Sequence, residues 1–311
     1  MHPGMPTSPT SPNDRRLGLS WALLSAVGGA LMVIPWKLAN EIGNPEHSVL
    51  LLLGVAAVAN SALVIGQRLS SGRAGFRVGR TELGVAALLA VFTLLGNLAS
   101  ALAIQELSPA LLNVLLRSDI LFVALLGWLL LGERVERRFW LGAIIAGIGL
   151  VVLQGPMGDA GFLGLFGGGS GIAVVAGACF SGLAIVTRRF IHRIDPVAVN
   201  AIRLWLAVAL WLPFYGIPNF SEIPREQILY ATLAAIAGPF LGRIALMISA
   251  RYVEARVTTL ATLTTPGLTL VLAFVLLSDW PEYYELLGGA IMIGGISIPL
   301  LRFGRPSASK A

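Results

Sequence analysis

The sequence predicts an all-α membrane protein with ten transmembrane helices, arranged as two inverted five-helix repeats with both termini in the cytoplasm. Only 12% of its 311 residues are charged, against about 25% in a typical soluble domain, and 56% are hydrophobic. The mean hydropathy is +0.81. Because a transmembrane helix needs about 20 apolar residues, ten helices use most of the chain and leave no room for a large soluble domain.

Polar segments at the ends and in the middle of the chain divide the apolar ones. Residues 1–16 are rich in Pro, Ser and Thr and are predicted to be a disordered cytoplasmic tail. Residues 156–170 are predicted to be a glycine-rich linker, and residues 303–311 a second cytoplasmic tail. The ten apolar segments lie at 17–38, 47–67, 81–104, 108–131, 138–155, 171–190, 196–217, 228–250, 256–278 and 283–302.

The distribution of basic residues predicts the topology. With the N-terminus inside, seventeen of the 22 basic residues fall on inside segments and two fall outside. The other three, Arg117, Arg203 and Arg243, lie within spans. Cytoplasmic loops of membrane proteins carry an excess of Lys and Arg, so the net charge of +6 reflects topology and not nucleic-acid binding.

A shift of 146 residues aligns the second half of the chain with the first. Leu95-Gly96-Asn97 then falls on Leu241-Gly242-Arg243. The two predicted repeats are residues 17–155 and residues 171–302. Because each repeat has an odd number of helices, the second must be inverted relative to the first. Inverted repeats are typical of secondary transporters, which bind substrate near the membrane midplane at the repeat interface.

Both repeats end in a diffuse pattern of leucine, glycine and polar residues. The pattern comprises Leu129–Arg134 (LLLGER), Leu141-Gly142-Ala143 and Gly149 in the first repeat, and Thr264-Thr265-Pro266, Leu287-Gly288 and Gly295 in the second. It resembles that of the EamA-type members of the drug/metabolite transporter superfamily, over residues 18 to 302. The resemblance implies a ten-helix bundle that moves small metabolites, often outward, without ATP. One departure is Ile120, which stands at the repeat position of Pro266.

Four ionisable side chains lie within the predicted spans: Arg117, Asp119, Arg203 and Arg243. Each costs roughly 2.5–3.5 kcal/mol at a helix centre on insertion scales, so each is a candidate for substrate binding. Asp119 is also the candidate for proton coupling, with Arg243 or Arg203 as its counter-ion. Arg117 lies about 200° away from Asp119 around a continuous helix and is not expected to pair with it.

Structural roles are the alternative for these charges. Asp119 and Arg243 could form an ion pair that locks the fourth helix against the second repeat. Snorkelling, or pairing with a helix end, would explain Arg203.

Three uncharged polar residues, Asn97, Asn113 and Thr265, are predicted to line the same cavity. Asn97 is the repeat mate of Arg243, and Asn113 shares a helix face with Arg117. Most polar residues in spans only hydrogen-bond across helices, which is the alternative for all three. Pro239 and Pro266 are predicted hinge points.

Enzyme chemistry finds no support in the sequence. The three histidines, His2, His47 and His192, lie in tails or loops, and the single cysteine, Cys179, forms neither a disulfide nor a metal site. We therefore expect no enzyme activity, no metal and no cofactor.

The predicted function is secondary active transport, with export favoured, of small organic metabolites such as amino acids or related charged solutes. A channel-like facilitator, a lipid scramblase and a non-transporting scaffold remain open. The expected partners are a small-molecule substrate, the lipid bilayer and protons as coupling ion, but no nucleic acid, for a monomer or homodimer. Arginine outnumbers lysine by 20 to 2, which is typical of a GC-rich genome and points to a bacterial inner membrane.

Overall fold

The computed structural model describes residues 12–70, 79–131, 137–153, 168–190, 196–249, 252, 261–278 and 280–298. This part of the chain is helical and contains no strand, as predicted. The helices are α1 (Pro12–Ile42), α2 (Pro45–Ser70), α3 (Arg80–Glu106), α4 (Pro109–Leu116), α5 (Asp119–Leu131), α6 (Arg137–Leu153), α7 (Gly168–Phe190), α8 (Pro196–Tyr215), α9 (Arg225–Ala235), α10 (Arg243–Ser249), α11 (Thr265–Leu277) and α12 (Tyr283–Ser297). A π-helical segment, Ile236–Gly242, joins α9 to α10.

Seven stretches of the described chain are long and apolar enough to cross a membrane. They lie within α1, α2, α3, α4 with α5, α7, α8, and α9 with its π-helical continuation. Two shorter apolar helices, Trp140–Gly149 and Thr265–Leu277, lie in the fifth and ninth predicted spans. α12 lies in the tenth.

Two of the helices that begin earlier than predicted extend into the predicted tail and linker. α1 begins at Pro12 and not at residue 17, because proline suits the first helical position and Asp14 places a negative charge in the first turn. α7 begins at Gly168, inside the predicted linker, where the Glu106 carboxylate accepts a hydrogen bond from the Gly169 N–H. Residues 1–11, 156–167 and 303–311 of the predicted tails and linker lie outside the described residues.

The two halves of the chain pack mainly against each other. α3 contacts α7 and α8, and α2 contacts α8. α1 contacts α9, the π-helical segment, α10 and α11, while α6 contacts α12. The core between the halves includes Trp36, Leu53 and Trp211, all of which are fully buried. Side chains that belong to different halves therefore meet throughout the interior.

The crossing of α6 and α12 is reciprocal. A Cβ atom on Gly149 would lie 2.8 Å from the Gly288 carbonyl oxygen, and one on Gly295 would lie 2.7 Å from the Gly142 carbonyl oxygen. Gly149 and Gly295 are repeat mates under the 146-residue shift, as are Gly142 and Gly288. Gly149, late in α6, lies near Gly288, early in α12, and Gly295, late in α12, lies near Gly142, early in α6. The two helices therefore cross antiparallel, and their backbones are close enough to require glycine.

Candidate functional site

The fourth predicted span is broken at its centre. It was expected to be one helix over 108–131, but α4 ends at Leu116 and α5 begins at Asp119. Between them the Arg117 N–H bonds the Val114 carbonyl and the Ser118 N–H bonds the Leu115 carbonyl, so the hydrogen bonds tighten to an i to i−3 pattern. The predicted 200° separation of Arg117 and Asp119 assumed a continuous helix, so it does not apply across this break.

Helix α7 packs directly on this break. The Ser181 hydroxyl donates a 2.8 Å hydrogen bond to the Asp119 carbonyl. A Cβ atom on Gly177 would lie 2.6 Å from the Ser118 hydroxyl oxygen, so a larger residue there would displace the Ser118 side chain or move α7. The second half of the chain therefore supplies contacts that hold the break in the first half.

The ninth predicted span is interrupted at the equivalent position. Ala261 and Thr262 are helical, Leu263 and Thr264 form a turn, and α11 begins at Thr265. The turn is the repeat mate of Arg117–Ser118 under the 146-residue shift. Pro266 explains it locally, because proline has no N–H to continue the helical ladder. In the first repeat the same position is Ile120, so that break depends on polar residues and on α7 instead.

Three consecutive polar groups at the first break are buried without a hydrogen bond to any described residue. They are the Arg117 Nε, the Ser118 Oγ and one carboxylate oxygen of Asp119. Asp119 interacts electrostatically with Arg117. Neither Arg203 nor Arg243 forms a salt bridge with it, so the expectation that one of them is its counter-ion is wrong in this structure. Buried polar atoms without partners are rare, and each calls for an explanation such as a bound water, an ion or a functional role.

A second polar cluster surrounds Arg203 on α8. Its Nε donates to the Asn200 Oδ1 and its Nη1 donates to the Thr93 hydroxyl, both at 2.8 Å. Asn200 in turn donates to Asn60 on α2. The side chain of Arg203 is only 5% exposed, which excludes snorkelling to the membrane surface. Its hydrogen-bond partners are side chains of α8 and α3 and not a helix end.

The cluster also includes two of the other predicted residues. Asn97 is buried one turn after Thr93 and donates to the Thr93 carbonyl. Arg243, the repeat mate of Asn97, interacts electrostatically with Arg203. It follows directly on the π-helical segment, whose backbone takes the wider i to i−5 register around Pro239. Such π-helical segments are frequent at functional sites.

Asn113 and Thr265 are buried in the contacts between α1, α4 and α11. Asn113 donates to the Thr269 hydroxyl across α4 and α11 at 2.5 Å. The Thr265 hydroxyl donates to the Ala26 carbonyl on α1 at 3.4 Å. Both bonds connect the first half of the chain with the second, so these residues lie at the repeat interface.

A cleft of about 150 Å³ opens between α4, α11 and α12. Its lining is mostly apolar and includes Val114, Leu270 and Ile293, with Pro266 at one side. None of the seven predicted substrate-binding residues lines it. They lie instead at the broken fourth helix, around Arg203, and in the contacts of α4 and α11.

Several residues of these clusters had no predicted role. Asn200 precedes Arg203 by three residues, a spacing that places both on one helix face and that could have identified the bond. Thr93, Thr269 and Ser181 carry no such local signal, because each meets a partner more than 60 residues away.

Comparisons with known proteins agree with this architecture. The model of the EamA-like transporter family matches residues 16–154 and 167–301. Two Bacillus subtilis (strain 168) proteins named as uncharacterized transporters, YdfC and YxxF, are 26% and 22% identical over 65% of this chain. The matches span 65% and 61% of those relatives, less than two thirds of their length. One solved crystal structure aligns with 93% of this chain and 97% of its own at a TM-score of 0.62 and 19% identity, which supports the fold alone.

Proposed function

The chain belongs to the EamA-like transporter family, as its resemblance predicted, and we propose that it is a secondary active transporter that exports small organic metabolites. The family is one of transporters and not of enzymes, and the chain is a multi-pass membrane protein. The proposed substrates are amino acids or related charged solutes. The proposed location is the inner membrane of a bacterium, where the protein acts as a monomer or homodimer with the lipid bilayer as its surroundings.

The observation that carries this proposal is the pair of helix interruptions at equivalent positions. Arg117–Ser118 and Leu263–Thr264 are repeat mates, and each is followed by a helix whose first residue is polar, Asp119 or Thr265. Interrupted helices in corresponding positions of two repeats are the typical substrate and ion sites of secondary transporters. Irregular backbone at membrane depth is tolerated only inside protein or beside a water-filled cavity.

Inverted repeats are part of the proposal, and the helix contacts support them. Under the repeat alignment α1 corresponds to α7, and α3 corresponds to α9 with α10. The contact of α3 with α7 therefore has its counterpart in the contact of α1 with α9 and α10. Because α5 corresponds to α11, the contact of α5 with α7 has its counterpart in that of α1 with α11. The antiparallel, reciprocal crossing of Gly149 and Gly295 fits a two-fold axis in the membrane plane. We place both termini in the cytoplasm on the distribution of basic residues.

Asp119 is the proposed proton-coupling residue. It begins α5 at the break and has a buried carboxylate oxygen without a hydrogen bond to a described residue. Arg117 lies beside it, so proton binding would leave the local charge at +1 and proton release would return it to zero. Rearrangement of the break between these two states, with Pro239 and Pro266 as hinges, would connect proton movement with alternating access.

Reconstituted flux tests the proposal. Proteoliposomes with the purified protein should accumulate at least one solute from a metabolite panel saturably, and a pH gradient should change its rate. Asp119→Asn should lower this rate and flatten its pH profile, because an amide can neither bind nor release the coupling proton. The matched control is Glu226→Gln, which neutralises an exposed acid at the start of α9.

Four results would contradict parts of the proposal. No flux above that of protein-free liposomes for any solute would leave a scaffold as the better function. Flux that follows the solute gradient and ignores pH would indicate a facilitator, and fluorescent-lipid exchange between leaflets would indicate a scramblase. An Asp119→Asn variant with unchanged rate and pH profile would remove Asp119 from the coupling mechanism.

A further inference from the structure

Two cations of the predicted spans, the buried Arg203 and the half-buried Arg243, have no acidic partner among the described residues. Arg117 has Asp119 beside it, but Arg203 and Arg243 form no salt bridge with any carboxylate of the described residues. The two arginines interact with each other electrostatically, and that interaction is repulsive. A buried charge is costly unless it is paired, so this arrangement calls for a negative partner.

The protein holds Arg203 in place without neutralising it. Asn200 and Thr93 accept hydrogen bonds from its Nε and Nη1, and both are neutral. Its Nη2 donates to no described residue, and Arg243 makes no side-chain hydrogen bond to one. A guanidinium held in place through Nε and Nη1, with the Nη2 donors left over, can still donate to an oxyanion.

The two arginines lie on different helices of the second half of the chain. Arg203 lies on α8 and is fixed to α3, while Arg243 begins α10 beyond the π-helical segment. Its repeat mate, Asn97, is hydrogen-bonded to the Thr93 carbonyl and leaves the first repeat neutral at this position. The positive charge of Arg243 therefore has no counterpart at the equivalent position of the first repeat.

We propose that Arg203 and Arg243 together form an anion-binding site, and that the transported solute carries a carboxylate or phosphate group that binds between them. This inference rests on the proposed transport function, because it assigns the charge of that function's substrate. Thr93 and Asn200 are positioning residues that orient Arg203. The anion would offset the repulsion between the two guanidinium groups and supply the missing partner of both.

Ligand-dependent thermal unfolding of the full-length protein in nanodiscs tests the inference without requiring transport. The probes are succinate against succinamide, and glycerol 3-phosphate against glycerol, at constant ionic strength. Either succinate or glycerol 3-phosphate should raise the unfolding temperature in a saturable way, and the matching neutral compound should not. The pair that responds distinguishes a carboxylate from a phosphate ligand.

Two variants and a control locate the binding. Arg243→Asn, which introduces the residue of the repeat mate, should raise the apparent Kd about tenfold or more. Thr93→Val keeps both charges and should raise it roughly fivefold, because Arg203 loses one hydrogen bond. Arg225→Gln removes an exposed cation at the start of α9 and should leave the Kd unchanged. If Arg243→Asn does not fold, Arg243→Lys and Thr93→Val still decide the question.

Several results would overturn the inference. They are equal stabilisation by the neutral probes, no stabilisation by either anion, and an anion response that persists unchanged in Arg243→Asn and Thr93→Val. Saturable transport of uncharged solutes alone would also overturn it while the proposed transport function stands. An absence of all flux together with anion binding that depends on Arg243 would contradict the transport function and leave the binding site.

Discussion

The crossing of α6 and α12 allows a sharp test through two adjacent glycines. In Gly295→Ala the new methyl group would lie 2.5 Å from the Ala146 backbone nitrogen and 2.7 Å from the Gly142 carbonyl oxygen. Because carbon contacts are optimal at about 3.5–4.0 Å, the helices must separate by roughly 1 Å. Both obstacles are backbone atoms, so no side-chain rotation can relieve the overlap.

The magnitude follows from two opposing terms. Overpacking costs about 1–3 kcal/mol, while replacing glycine by alanine in a helix gains up to about 1 kcal/mol. Gly294→Ala is the matched control, because nothing lies within 4 Å of its added Cβ. Both variants share the helix-propensity gain, so the difference between their stabilities isolates the steric overlap at about 1–3 kcal/mol.

Thermal unfolding in one detergent measures this difference. Gly295→Ala should unfold below Gly294→Ala by several degrees, since a change of 1 kcal/mol shifts Tm by about 2–4 °C in chains of 150–250 residues. Gly149→Ala should lose about as much, because its methyl group would meet the Met292 nitrogen and the Gly288 carbonyl. Equal Tm values for Gly294→Ala and Gly295→Ala would refute the close crossing, and a loss at only one of Gly149 and Gly295 would refute its reciprocity.

Three further variants test the helix interruptions and the Arg203 cluster. Pro266→Ala restores an N–H at the second break, so Tm should rise or stay level while the transport rate falls; a normal rate would remove its hinge role. Asn200→Ala leaves Arg203 without one acceptor and should lower stability by about 1–3 kcal/mol in thermal unfolding, and an unchanged Tm would contradict the network. Ser181→Ala frees the Asp119 carbonyl and should lower stability by about 0.5–1.5 kcal/mol; a stability equal to wild type would mean that α7 does not hold the break.

Composition and repeat spacing were sufficient to predict the helical membrane architecture. The apolar runs and their short connections located a helix in each of the ten predicted spans. The 146-residue shift pairs residues such as Gly149 and Gly295. In the structure these two repeat mates make equivalent contacts at the crossing of α6 and α12. Such features depend on local sequence, which is why they can be read without coordinates.

The break in the fourth span could not be predicted in this way. Residues 108–131 contain no proline after Pro109, and apolar residues flank the polar stretch Arg117–Asp119 on both sides. The break is held by Ser181 and by the close approach of Gly177, both on a helix more than 55 residues away. The ninth span differs, because Pro266 signals its interruption locally.

The hydrogen-bond and electrostatic partners of the charged residues also could not be predicted from the sequence. Arg203 was identified as a candidate, but its bond to Thr93 depends on how α8 packs against α3. Asp119 was expected to pair with an arginine of the second half, yet the broken helix brings it under the influence of Arg117. Intramembrane charges can thus be found by composition, whereas their partners depend on the tertiary structure.

Access of water to the two helix interruptions tests the central claim most directly. With the single cysteine removed by Cys179→Ala, Ser118→Cys and Thr264→Cys each introduce one thiol, and Val275→Cys on the exposed apolar side of α11 serves as the control. A membrane-impermeant thiol reagent is applied from either side of proteoliposomes. We predict that both interruption sites react from each side and that Val275→Cys reacts from neither. Failure of both sites to react from either side would contradict an alternating-access pathway through the interrupted helices.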